Sequence, residues 1–231
     1  MPRRLEPVKG KQPSRALEPG RYGKASDISM SRFAPNRKIA ELSPRARALR
    51  AELGTRSLVM IGLMGCGKTS VGRRLSVATG LGFVDADEEI ELAAGKTISE
   101  IFADHGEEHF RDGERKVIAR LLRTGPQVLA TGGGAFMNAE TRENIRTSGV
   151  SIWLRAELPL LMRRVMRREN RPLLKTSDPE ARMRELISQR YPIYALADLT
   201  IDSREVPHDI MVEEILAGLA VGPLKPAAGA S

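Results

Sequence analysis

Gly62, Gly67, Lys68 and Thr69 fall on every fixed position of the pattern G-x-x-x-x-G-K-[ST]. An apolar run, Leu58-Val59-Met60-Ile61, precedes the pattern and a helical pattern follows it, which is the strand-to-helix setting it requires. Glycines there let backbone N–H groups curl round a phosphate, and the helix N-terminus adds partial positive charge. The loop therefore presents Gly65, Cys66, Gly67, Lys68, Thr69 and Ser70 to the phosphates of ATP. Lys68 is expected to reach the β- and γ-phosphates, and the Thr69 hydroxyl to face Mg²⁺. A ligand-free Gly-rich turn is the bland alternative, and it leaves the Lys-Thr pair unexplained.

Two further features invite chemistry. Asp85 and Asp87 follow the apolar pair Phe83-Val84, and alternate residues of a strand share a face, so continued extension points both acids into one cleft. Asp85 is then assigned to the water shell of the metal. Asp87 is assigned to a substrate hydroxyl, which it would orient for in-line attack and deprotonate. Two acids capping a helix are the alternative. Gly132, Gly133 and Gly134 form the second feature, a floor of bare backbone on which a small ligand can lie. Arg111, with Glu114 three residues on, reads from spacing alone as a structural ion pair, and Arg190 reads no more sharply.

The elements that must position these groups alternate. Strands are expected at Leu58–Ile61, Phe83–Asp85, Gln127–Thr131, Val150–Leu154 and Leu199–Ile201. Helices are expected over Pro44–Leu53, from Lys68 to Thr79, over Glu88–Ala94, from Thr97 with Ser99 as candidate cap, over Glu107–Thr124, Ala139–Thr147, Leu158–Arg167, Glu180–Leu196 with an interruption near Pro192, and Val206–Leu219. Phe110, Val117, Leu121 and Leu122 should face inward. This alternation predicts an α/β fold, a five-stranded parallel sheet with helices on both faces, whose ligands sit beyond the carboxyl ends of the strands. Residues 165–179, with Arg167, Arg168, Arg171 and Lys175, read as a lid. Residues 1–50 are rich in Pro, Gly, Ser and Arg and read as a disordered basic leader, residues 51–222 as the folded domain, and 223–231 as a loose tail.

Among 231 residues the chain carries 37 Lys and Arg and 29 Asp and Glu, a net charge of +8. Residues 1–56 hold 14 of those basic and 5 of those acidic residues, which leaves 23 against 24 in the rest. The basicity thus belongs to the leader, and the near-neutral body argues against a nucleic-acid partner. A transit peptide, a basic arm and a plain solvated tail all stay open for the leader. No apolar run is long enough to cross a membrane. The single cysteine, Cys66, excludes an internal disulfide and suits a reducing, cytoplasmic setting. Its place beside a helix N-terminus predicts a thiol open to modifying reagents, unless it is only a small filler.

Taken together, these motifs resemble the shikimate kinase family. The resemblance covers about residues 56–219. It rests on GLMGCGKT, FVDADEEIE, the Ile-x-Glu-Ile-Phe run with Gly106-Glu107 and Phe110-Arg111-x-x-Glu114, the triple glycine, Arg171-Pro172-Leu173-Leu174 and Arg190-Tyr191-Pro192-x-Tyr194. It implies strand order 2-3-1-4-5, a substrate-binding region at about 86–115, transfer of the γ-phosphate of ATP to the 3-hydroxyl of shikimate with one Mg²⁺ per subunit, and a monomer with no membrane or nucleic-acid partner. Asp87, Arg111, Gly133 and Arg190 would bind shikimate, both arginines taking its carboxylate. Phe102 and Phe110 would pack on its ring, with Gly132 and Gly134 completing the floor. Arg171 would come from the lid to the transferring phosphoryl, beside Lys68 and Asp87 as the catalytic set. Arg164 and Pro207 would flank the adenine. Another small-molecule kinase of the gluconate kinase kind, or a nucleotide-dependent binding module with a basic arm, are the competing readings.

Overall fold

The computed structural model describes residues 42–167 and 178–224. The chain order is α1 (Pro44–Leu53), β1 (Ser57–Ile61), α2 (Lys68–Thr79), β2 (Gly82–Asp85), α3 (Ala86–Ala94), α4 (Ile98–Arg123), β3 (Gln127–Ala130), a 3₁₀ turn (Ala135–Met137), α5 (Ala139–Ser148), β4 (Gly149–Arg155), α6 (Leu158–Val165), α7 (Pro179–Tyr194), β5 (Leu199–Asp202) and α8 (His208–Val221). The five strands form one parallel sheet in the order β2-β3-β1-β4-β5, as the resemblance implied.

Burial follows position in the sheet. β1 and β3 are buried at every residue and β4 at all but Arg155, whereas β2 and β5 alternate between more and less covered residues. Central strands covered on both faces need continuous apolar runs, and edge strands do not. Right-handed crossovers put α2, which leads leftward from β1 to β2, on the face opposite α4 and α5, which lead rightward. All ligand-facing loops then emerge at one end. Phe110, Val117, Leu121 and Leu122 are buried as expected.

Local chemistry sets the helix ends. Thr97, not Ser99, caps α4: its hydroxyl accepts from the Glu100 N–H, and the Glu100 carboxylate accepts from the Thr97 N–H at 2.7 Å. Gly106 leaves the helical path inside α4, with φ 80° and ψ 176°, so α4 is two helical segments that meet at a kink where the break was expected. Pro192 does not interrupt α7, which runs through it to Tyr194.

The boundary expected at residue 51 is displaced. Ala46, Leu49 and Leu53 of α1 are buried, Leu42 packs on Gly80, and Arg50 donates to the Thr79 carbonyl at the end of α2. Arg45 also pairs with Glu213 of α8 at 3.1 Å. The folded body thus takes in residues from 42 onward. At the other end Leu224 is also buried, past the expected limit of 222. Residues 1–41, most of the expected lid (168–177, with Arg168, Arg171 and Lys175) and 225–231 lie outside the described residues. No helix among the described residues is long and apolar enough to cross a membrane.

Because Leu53 is only 1% exposed, Leu53→Ala should destabilise the fold by about 2–5 kcal/mol, read as a lower urea midpoint at unchanged slope. An unchanged midpoint would show that α1 is not part of the core.

Candidate functional site

The phosphate loop comes directly off β1. Gly62, Gly65 and Gly67 hold φ values of 137°, 84° and 103°, which a residue with a side chain rarely adopts. The Lys68 ammonium folds back over the loop it follows and donates to the carbonyls of Gly62 at 2.9 Å and Leu63 at 3.1 Å. Gly67 caps α2 without a side chain, so the first N–H groups of the helix face the loop. Ser70 lies in the first turn of α2, half-buried. Cys66 is 1% exposed, and its Sγ lies against Gly62, 2.8 Å from where a Cβ there would stand. The thiol expected to be open to reagents is therefore covered, and it fills space under the loop.

Asp85 and Asp87 are positioned by a helix cap and not by the strand period. Asp85 ends β2 and caps α3, its Oδ1 accepting from the Asp87 N–H at 3.1 Å. Asp87 thus sits in the first turn of a helix and not in extended chain. The other oxygen of Asp85 accepts from the Thr69 hydroxyl at 2.9 Å. A hydroxyl and a carboxylate facing each other beside Lys68 form a hard-oxygen donor set of the kind that suits Mg²⁺.

The three glycines after β3 are each covered by a different side chain. A Cβ at Gly132 would stand 2.5 Å from Glu114 Oε1 and 2.9 Å from Asp87 Oδ1. One at Gly133 would be 3.3 Å from Arg190 Nη1 and 3.5 Å from the Gly62 carbonyl oxygen. One at Gly134 would collide with the Arg111 guanidinium at 2.5 Å. The floor thus brings Asp87, Arg190 and Arg111 together, and the Gly62 carbonyl that touches Gly133 also accepts from Lys68.

Arg190, 9% exposed, donates to the Gly133 carbonyl at 2.8 Å. The same oxygen accepts from the Tyr194 hydroxyl. Tyr194 is fully buried, and that burial pushes its phenol well above the usual range, so it stays a donor. Neither helical period nor motif spacing singled out this contact. Tyr191 reaches the Ala156 carbonyl in the same manner, with its phenol pushed up to about 12 by burial.

Glu114 is the residue that spacing most undervalued. It is 2% exposed, and its Oε2 accepts from Arg111 Nη1 at 2.7 Å. Its Oε1 is buried with no partner and faces Gly132 and Asp87. Burial pushes the Glu114 carboxyl up, with the Asp87 charge adding to that and Arg111 opposing it. Burial works against the charge on Arg111, but Glu114 and Glu107 outweigh it and raise its pKa. Arg111 is thus held between two carboxylates, at 2.7 and 3.1 Å.

Phe102 and Phe110 stack on each other with centroids 4.7 Å apart, on either side of the bend at Gly106. Phe110 is buried and Phe102 half-buried. Arg164 donates to the carbonyls of Gly65, Cys66 and Arg204 and to the Ser203 hydroxyl, which ties the loop ahead of α8 to the phosphate loop. Pro207 stands at the start of α8 in that same segment. Arg171 is among the residues outside the description.

Comparison with known proteins agrees with this geometry. A family model described as shikimate kinase matches residues 64–220. A shikimate kinase of Rhodopseudomonas palustris is 57% identical over 190 residues, which is 82% of this chain and 93% of the relative. One from Bradyrhizobium diazoefficiens is 59% identical over 179 residues, 78% of this chain and 86% of the relative. Among solved structures, a shikimate kinase from Acinetobacter baumannii in complex with shikimate superposes with a TM-score of 0.69 at 37% identity, covering 73% of this chain and 94% of that one. A gluconokinase from Sinorhizobium meliloti, at 21% identity and a TM-score of 0.51 over 72% of this chain and 93% of its own, shares the fold alone. With its loop, its glycine floor and its two converging arginines in place, the chain belongs to the shikimate kinase family.

Proposed function

We propose that the chain transfers the γ-phosphoryl group of ATP to the 3-hydroxyl of shikimate. The observation that carries this reading is the meeting at the Gly62 carbonyl of the ammonium of Lys68 and the floor of Gly133, beneath Arg190. The relative from Acinetobacter baumannii, solved with shikimate, supports the choice of acceptor.

The residues divide the work by charge. Two guanidiniums, on Arg111 and Arg190, suit the planar carboxylate of a small ring acid, which each can grip with paired donors. The bare backbone of 132–134 lets the ring lie close, and Phe102 and Phe110 offer it an apolar wall. The 3-hydroxyl would then face Asp87, which accepts its proton as the oxygen attacks phosphorus and the bond to ADP breaks. The orphaned oxygen of Glu114 beside Asp87 favours a ligand that carries hydroxyls, since a buried acceptor is costly when unmatched. Lys68 would exchange its two carbonyl partners for phosphate oxygens. Thr69 and Asp85 would hold Mg²⁺, which when bound supplies neutralising charge to the β- and γ-phosphates. Arg171 is assigned to the transferring phosphoryl, and Arg164 and Pro207 to the adenine side, as the family resemblance implies. The near-neutral body beyond residue 56 favours a small anionic substrate over nucleic acid.

Shikimate-dependent release of ADP is the direct test. Wild type should turn over shikimate and not gluconate, and Asp87→Asn should bind ATP normally while losing about 10²-fold or more in kcat. Equal turnover of gluconate, or an active Asp87→Asn, would reject the reading. Arg190→Lys keeps the charge but loses the fork, so KM for shikimate should rise about tenfold with KM for ATP unchanged. Tyr194→Phe removes one of two donors to the Gly133 carbonyl, worth about 0.5–1.5 kcal/mol. It should raise KM for shikimate severalfold; a change confined to KM for ATP would contradict that positioning role.

A further inference from the structure

His105 and His109 are two of the three histidines in the chain, and their rings meet with centroids 4.7 Å apart and planes tilted by 44°. They lie in α4 just before and three residues after Gly106, where the helix leaves its regular path. Positions four apart share a face of a straight helix, and the ring contact keeps them together across the bend. Both are exposed. Neither belongs to the site described above, although His109 immediately precedes Phe110 and Arg111.

Paired imidazoles four residues apart on a helix are a recognised arrangement for borderline metals, as in the first two ligands of a zinc protease helix. The separation fits that use. An imidazole centroid lies about 3.2 Å from a metal that its nitrogen binds at about 2.0–2.1 Å. Centroids 4.7 Å apart then correspond to an angle at the metal of roughly 95°, between the square and tetrahedral cases. Among the described residues no three His, Cys, Asp or Glu side chains are placed to hold a metal together. Of the neighbouring carboxylates, Asp104 pairs with Lys96 at 2.8 Å, Asp112 with Arg115 at 2.5 Å and Lys116 at 2.6 Å, and Glu107 with Arg111 at 3.1 Å. The remaining positions on an ion would be taken by water, as in open zinc sites.

We propose that His105 and His109 form a surface site for one divalent transition-metal ion of the zinc, nickel and copper class. Such an ion joins the two halves of α4 on its outer side, as the Phe102–Phe110 contact joins them on its inner side. It stabilises the bent form of the helix that presents Phe110 and Arg111.

The test is calorimetric titration of the full-length, tag-free, nucleotide-free chain with nickel chloride and with zinc chloride. Wild type should bind one equivalent with a micromolar Kd. His105→Asn and His109→Asn should each weaken that binding at least tenfold, and His208→Asn should leave it unchanged. Saturating nickel should raise the Tm of wild type and not that of either variant, since only a ligand that prefers the folded state stabilises it. The metal-free melting curves of these exposed-site variants report that they fold. Binding of equal strength in His109→Asn and wild type, or no saturable binding by wild type below about 1 mM, would overturn the proposal.

Discussion

The backbone at 132–134 has to pass within contact distance of four charged side chains at once, and only residues without a Cβ let it do so. Glu114 and Asp87 close over Gly132, Arg190 over Gly133 and Arg111 over Gly134. A methyl group at the first or third position would stand 2.5 Å from a carboxylate oxygen or a guanidinium nitrogen, far inside contact. The middle carbonyl in turn accepts from both Arg190 and Tyr194, which ties α7 to the end of β3. The neighbouring Gly62 carbonyl ties the same floor to Lys68. Remove that close approach and Arg111 and Arg190 lose their fixed relation to the phosphate loop.

This arrangement places charges of both signs in a small, covered volume. Arg111 is compensated by Glu114 and Glu107, so it can stay half-buried and charged before any ligand arrives. Glu114 carries the opposite burden, since its second oxygen has no donor and its desolvation opposes ionisation. Under the proposed function, that unmatched acceptor and the two guanidiniums would meet an anion that also brings hydroxyls. Cooperation of this kind depends on the covering being tight, which the buried Tyr194 and the glycine run provide.

Much of this was legible in the sequence because backbone constraints leave local marks. The loop from Gly62 to Thr69 needs positive φ and an anion-facing helix, so its pattern is dense in glycine and ends in Lys-Thr. The central strands are continuous apolar runs because both faces are covered, and their ends were placed within a residue or so. What spacing could not reveal are contacts closed by topology. Glu114 looks like half of an ordinary helix pair until α4 is laid against Gly132, 18 positions away in the chain. Tyr194 lies 61 residues from the carbonyl it serves. Strand alternation suggested an extended Asp87, whereas the residue lies in the first turn of α3. Cys66 beside a helix N-terminus read as a thiol open to reagents or as a small filler, and the curl of the loop turns its sulfur under Gly62. The short helix α1 was read as a helix, but its apolar face gave no hint of which partner it covers.

A crystal structure of the chain with shikimate and ADP tests the central claim most directly. The account predicts the carboxylate of shikimate between the guanidiniums of Arg111 and Arg190, its ring above 132–134, and its 3-hydroxyl within hydrogen-bond reach of Asp87 on the side facing Lys68. A shikimate molecule seated elsewhere, or one whose 3-hydroxyl faces away from the phosphate loop, would contradict it.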